Sequence, residues 1–141
     1  MRRKALITSL ARISDLDEED FAEQRLPREG WEVGDYVLAE VTRAHGALSR
    51  VELASGRMAD VLEGDVVLGA LGERHATLEA CGTFREVGED HEMTLLTGAG
   101  LMGKLTSISF WLPPLISVRY RAHVARHGRK VRMRDFVPEV V

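Results

Sequence analysis

The chain has 141 residues and a mass of 15.7 kDa, the length of one ordinary domain. Its 45% hydrophobic content excludes a disordered chain, and its single cysteine, Cys81, excludes an internal disulfide framework or a Cys-based zinc site. The net charge of −3 argues against indiscriminate nucleic-acid binding.

In chain order, Met1-Arg2-Arg3-Lys4 leads into an apolar stretch broken by Thr8, Ser9, Arg12 and Ser14. That stretch is too short for a secretory signal, and no window reaches the roughly 18 apolar residues of a membrane span. The expected location is cytoplasmic. Residues 15–24, Asp-Leu-Asp-Glu-Glu-Asp-Phe-Ala-Glu-Gln, read as a short surface helix. Ser14 or Asp15 caps it, acids fill its first turn, and Leu16 and Phe21 form a thin apolar stripe. Pro27 and Gly30 end the segment. Residues 1–30 are therefore predicted to be an extension, and residues 31–141 a single β-rich domain.

From Trp31 the period changes to two. Tyr36, Leu38 and Glu40 alternate with Val37, Ala39 and Val41, as in a strand buried on much of both faces. Strands are expected over 48–53, 58–62, 66–71, 76–81 and 83–87, with turns at 44–47, 54–57 and 63–65. A helical turn is expected near 90–97. Turn signals every eight to twelve residues point to a small barrel or a two-sheet sandwich. The run Val61 to Gly69 has the general look of a barrel-type accessory domain. Residues 115–125 and 130–136 flank Arg126-His127-Gly128-Arg129, a C-terminal hairpin whose two-residue turn sets Arg126 opposite Arg129. Continuing that register sets Val124 against Val131 and Ala122 against Met133. Alternation and β-branching predict a core containing Val37, Leu38, Val41, Val51, Leu53, Val66, Leu68, Leu78, Val118, Val124 and Val131.

Charge is polarised along the chain. Residues 1–33 carry a balance of −2, residues 34–103 of −7 and residues 104–141 of +6. Either the segments neutralise each other on folding, or the basic end meets an anion. The hairpin concentrates this question, because Arg119, Arg121, His123, Lys130, Arg132 and Arg134 share one predicted face. Like charges directly across a strand pair destabilise it. With few aromatics on that face, nucleic acid is not the expected partner.

Residues 97–107, Thr-Gly-Ala-Gly-Leu-Met-Gly-Lys-Leu-Thr-Ser, contain G-x-G-x-x-G followed by lysine. Glycines let backbone amides approach a phosphate closely, and lysine adds a point charge. The spacing from Gly98 to Lys104 fits a Walker A loop, but Leu105 stands where Ser or Thr would hold magnesium. No βαβ unit follows, as a dinucleotide fold would require. The alternative is a plain glycine-rich connection. The ligand-binding residues expected on this reading are Gly98, Gly100, Gly103, Lys104, Thr106 and Ser107, joined by Arg119 and Arg121 if the hairpin packs beside the loop. The five histidines show no metal-ligand spacing, Cys81 lies in an apolar strand, and no nucleophile motif appears. No metal and no cofactor are expected.

The sequence thus points to a non-catalytic cytoplasmic β-barrel module. It would bind a protein partner or a small phosphate- or carboxylate-bearing ligand, or associate with itself, as an accessory domain of a larger assembly would. The alternative is a small phosphate- or nucleotide-handling enzyme built on Gly98–Ser107.

Overall fold

The structure, a computed structural model, describes residues 5–12, 14, 16, 21–45, 49–75, 80–108 and 115–136. Twelve strands are present among them: β1 (Leu6–Ile7), β2 (Ala22–Gln24), β3 (Tyr36–Arg43), β4 (Arg50–Glu52), β5 (Met58–Asp60), β6 (Val66–Leu71), β7 (Glu73–His75), β8 (Ala80–Thr83), β9 (Glu92–Leu95), β10 (Leu101–Ile108), β11 (Ser117–Arg126) and β12 (Arg129–Lys130). Ten of them form one mixed sheet in the order β1-β6-β3-β11-β9-β10-β8-β7, with β2 and β12 also on β11 and with β10 pairing a second time, in parallel, with β6. The pair β4–β5 stands apart as a two-stranded sheet.

The period-two pattern in β3 has its expected consequence. Val37, Ala39 and Val41 enter one core cluster with Val67, Leu71, Phe84, Met93, Met102 and Val118. Tyr36 and Leu38, pointing the other way, enter a second with Val66, Leu68, Ala70, Val124 and Val131. The second cluster is covered by the N-terminal residues Ile7, Leu10, Leu16 and Phe21 and by Met133 and Phe136 from the C-terminal side. Burial of Tyr36 pushes its phenol up to about 12, and its hydroxyl donates to the Leu10 carbonyl at 2.7 Å. Of the predicted core, Val37, Leu38, Val41, Val51, Val66, Leu68, Val118, Val124 and Val131 are buried. Leu53 is half-buried, and Leu78 lies outside the described residues.

Four local expectations need correction. Within residues 15–24, Ala22–Gln24 is strand β2 rather than helix, because its backbone pairs with Val124 and its neighbours on β11. A sheet edge overrides weak helix propensity there; residues 15 and 17–20 lie outside the described set. Residues 92–95 form β9 instead of a helical turn, held between β10 and β11. Phe84–Glu86 is a 3₁₀ turn instead of a strand, capped by the Thr83 hydroxyl, which accepts from the Arg85 N–H. The returning strand of the C-terminal hairpin stops at Lys130, and Met133–Phe136 is a 3₁₀ turn, because from His123 back that edge of β11 is taken by β3. No helix of seven or more residues occurs among the described residues, and none there is long and apolar enough to cross a membrane.

Candidate anion-binding site

Gly98 to Ser107 forms the connection between β9 and β10 together with most of β10. The Gly98, Ala99 and Gly100 carbonyls accept from the N–H groups of Glu52, Leu10 and Ala70 at 2.8–3.0 Å. The connection thus turns these three oxygens toward its neighbours. Gly100 adopts φ 104°, and a side chain there would run into Thr8. Gly103 lies inside β10, where a Cβ would come within 2.9 Å of the Phe84 nitrogen and the Thr83 carbonyl carbon. Lys104, Thr106 and Ser107 are exposed on β10, with Lys104 opposite Thr83. Arg119 pairs with Glu92 at 3.1 Å and Arg121 with Glu23 at 2.9 Å. These eight residues are thus engaged with different parts of the sheet.

The basic hairpin face is neutralised from within. Besides those two pairs, His123 meets Asp35 at 2.8 Å, Lys130 meets Glu32 at 2.7 Å and Asp35 at 3.0 Å, Arg132 meets Asp135 at 3.0 Å, and Arg134 meets Glu32 at 3.7 Å. Glu23, Glu32, Asp35 and Glu92 come from the acidic first two-thirds of the chain, so much of its charge polarity is absorbed on folding. Arg121 reaches its partner from a bulge, since the register of β11 against β3 shifts between Tyr120 and Ala122.

The turn of the hairpin is different. His127 and Gly128 adopt φ 55° and 77°, the two positive values that a type I′ turn requires. Arg126 and Arg129 close it as a directly opposed pair. Beside them opens a cavity of about 480 Å³, lined by Arg126, Arg129, Lys130, Val131, Arg132, Asp135 and Phe136. Among the described residues its lining includes four cationic side chains and one carboxylate, and of the four Lys130 is already held by Glu32 and Asp35. Arg129 is exposed and makes no ion pair among the described residues. Arg132 gives one guanidinium nitrogen to Asp135, while its Nε is buried without a partner. An unsatisfied buried donor costs about 1–3 kcal/mol, which an anion in the cavity would recover. Burial alone would raise the Asp135 carboxyl, but hydrogen bonds and the charge of Arg132 outweigh it and hold it below its ordinary value.

The cavity is anchored from beneath. The Lys130 ammonium donates to the Gly30 carbonyl at 2.9 Å as well as to Glu32 and Asp35. Burial would lower this lysine, but Glu32 and Asp35 outweigh it and raise it. Asp35 and His123 are fully buried. One Asp35 oxygen, Oδ2, accepts from the Glu32 N–H, from Lys130 and from His123 Nε2; its Oδ1 has no partner. With Nε2 donating to the carboxylate, His123 Nδ1 accepts from the Tyr120 hydroxyl at 2.7 Å, and that hydroxyl accepts from the Leu26 N–H at 3.0 Å. Asp35, His123 and Tyr120 are held inside the fold, with Tyr120 only 2% exposed. Its work is to fix Lys130 and the base of the hairpin.

Sequence reasoning placed Arg126 opposite Arg129 but assigned the functional face to the alternate residues, and it missed Asp35 and Tyr120 as partners of His123. Only the opposed arginines carried a local signal. The Asp35–His123 contact depends on how distant strands align. Among the described residues no three His, Cys, Asp or Glu side chains gather as a metal site. Comparison with models of known protein families, with curated proteins and with solved structures finds no match.

Proposed function

We propose that this protein is a non-catalytic β module that holds the anionic group of a small ligand or a protein partner in the cavity beside the β11–β12 turn. The observation that carries this reading is the buried Arg132 Nε, left without a hydrogen-bond partner on the wall of an open cavity that the exposed Arg129 also lines. An unsatisfied buried donor is costly, and an anion that accepts from Arg132 Nε removes that cost while meeting the planar donor fork of Arg129. Among the described residues that line the cavity there is no nucleophile, and the one carboxylate is tied to Arg132, which supports binding over catalysis. A cytoplasmic setting, an accessory role in a larger assembly and self-association belong to the same proposal. So does a barrel form, supported by β10 pairing with both β9 and β6.

Titration with phosphate and sulfate, followed by amide chemical shifts, tests this. Shifts are expected at residues 124–136 and should weaken as salt rises, since exposed charges are screened over about 10 Å at 0.1 M ionic strength. A ligand present at a hundred times its dissociation constant should also add about 2.7 kcal/mol of stability. Shifts confined to residues 98–107 would move the site to the glycine-rich connection and favour the phosphate-handling alternative. No shift anywhere at millimolar anion overturns anion binding.

A further inference from the structure

Away from the cavity, the turn that leads into β9 holds a contact of another kind. His91 adopts φ 59°. Its N–H donates to the Gly88 carbonyl at 3.1 Å, and its carbonyl accepts from the Tyr120 N–H at 2.9 Å. The half-buried ring stacks on Tyr120, with centroids 5.5 Å apart, and lies 5.9 Å from the Trp31 ring. Its Nδ1 meets Arg25 Nη2 at 3.2 Å. A guanidinium only donates, so this Nδ1 is the acceptor and carries no proton. Arg25 Nη1 donates to the Arg121 carbonyl at 3.2 Å, and the guanidinium lies 5.5 Å over the Tyr120 ring. Arg25 thus ties the chain after β2 both to β11 and to the turn before β9. The Leu26 N–H donates to the Tyr120 hydroxyl, and the Leu26 carbonyl accepts from Trp31 Nε1. With the Trp31 and Tyr120 rings 4.4 Å apart, residues 25–31 close over Tyr120.

We infer that His91 is a pH-sensitive latch. Neutral, it holds Arg25 and through it residues 25–31 against β11; protonated, it turns a donor and a positive charge toward Arg25, releases that segment and opens the Tyr120 hydroxyl and its partner His123 to water. The surroundings set the direction. Burial first, then Arg25 and Arg28, hold the His91 imidazole below its ordinary value, and Asp90 offsets them only in part. Arg28 is kept near by its place over the Trp31 ring, 5.6 Å from the centroid. The charged groups flanking on β2, β9 and β11 close on each other, as Arg121–Glu23 and Arg119–Glu92. An imidazole that protonates less readily folded than unfolded contributes its full stability above about pH 6.5 and loses it as pH falls below that value.

NMR titration of the whole chain from about pH 8 to about pH 5 tests the latch. His91 is expected to titrate below about 6.5. The Leu26 amide and the Trp31 indole N–H should shift with the same midpoint. Below it, after correction for the intrinsic effect of pH, both should exchange with solvent at least about tenfold faster. His91→Asn keeps an acceptor on a side chain that tolerates the left-handed backbone and does not titrate, so both groups should stay protected across the range. Arg25→Met removes the donor and its charge; the His91 midpoint should rise, and Leu26 and Trp31 should exchange fast at every pH. A His91 that titrates without moving Leu26 and Trp31 overturns the latch. So does a response that survives in His91→Asn, which would place the switch at another group such as His123. A His91 midpoint unmoved by Arg25→Met overturns the contact on which the latch depends.

Discussion

The connection between β9 and β10 and the turn between β11 and β12 share their chemistry. Each is a hairpin link with a glycine at positive φ, Gly100 at 104° and Gly128 at 77°, and each has basic residues close by in sequence. They use glycine for opposite reasons. At Gly100 a side chain would collide with Thr8, whereas at Gly128 nothing lies within 4 Å of where one would stand. The first glycine lets backbones pack; the second lets the chain reverse in the open and present arginines. A glycine pattern alone does not separate packing from display. The neighbours of the missing side chain do.

The sharpest way to break this contrast is to remove the anchor under the arginines. Asp35→Ala deprives Lys130, His123 and the Glu32 N–H of their shared acceptor, and breaking a buried ion pair costs about 3–5 kcal/mol. Urea unfolding should show a loss of that size; a loss below 1 kcal/mol on the same scale would mean that the anchor is dispensable. Gly103→Ala tests the packing role on the other side. Its Cβ meets backbone atoms that have little room to shift, and overpacking of this kind costs about 1–3 kcal/mol. An unchanged urea midpoint would reopen the case for a ligand-facing glycine loop.

Arg129→Ala sharpens the comparison from the ligand's side. Affinity for phosphate should fall about tenfold, equivalent to roughly 1.4 kcal/mol. The melting temperature of the free protein should hold, because Arg129 is exposed and surface substitutions of this kind cost little. A smaller effect is expected from pH. Because Arg132 holds the folded Asp135 carboxyl below its ordinary value, this group's stabilising contribution is present above the unfolded value near about 3.9 and fades as pH falls below it. Carboxyl-detected NMR should find the Asp135 midpoint depressed in the native chain and returned toward normal in Arg132→Met. Least affected of all is Lys104→Ala, exposed on β10. Its stability should stay within about 0.5 kcal/mol and its phosphate affinity should not change; a clear loss of affinity would relocate the site.

What could be read from the sequence was local. Alternation over 36–41 announced a strand buried on both faces, and two clusters use those faces. The His127-Gly128 turn and its opposed arginines follow from a two-residue loop alone. The fate of the remaining basic residues was not local. Whether Arg119 and Arg121 stand free or paired depends on Glu92 and Glu23, brought in by β9 and β2, and chain order does not say that these strands flank β11. The same strand explains the misread segment at 22–24, whose helical tendency yields to an available edge. G-x-G-x-x-G was legible as a pattern and ambiguous as chemistry, since close packing and phosphate cradling ask for the same residue.

One feature of the sheet governs how the chain comes together in time. β11 pairs Val41 with Val118 and Gln24 with His123, and it also receives β9 and β12. In chain order it follows β1 to β10. Until it arrives, β3 lacks one neighbour along its length, and Val118, Tyr120 and Val124 are missing from both clusters. Pairings between residues so far apart in sequence make for slow folding, and an apolar strand waiting with an open edge invites association with another chain. Chains stopped before residue 117 should therefore aggregate instead of forming a smaller stable unit.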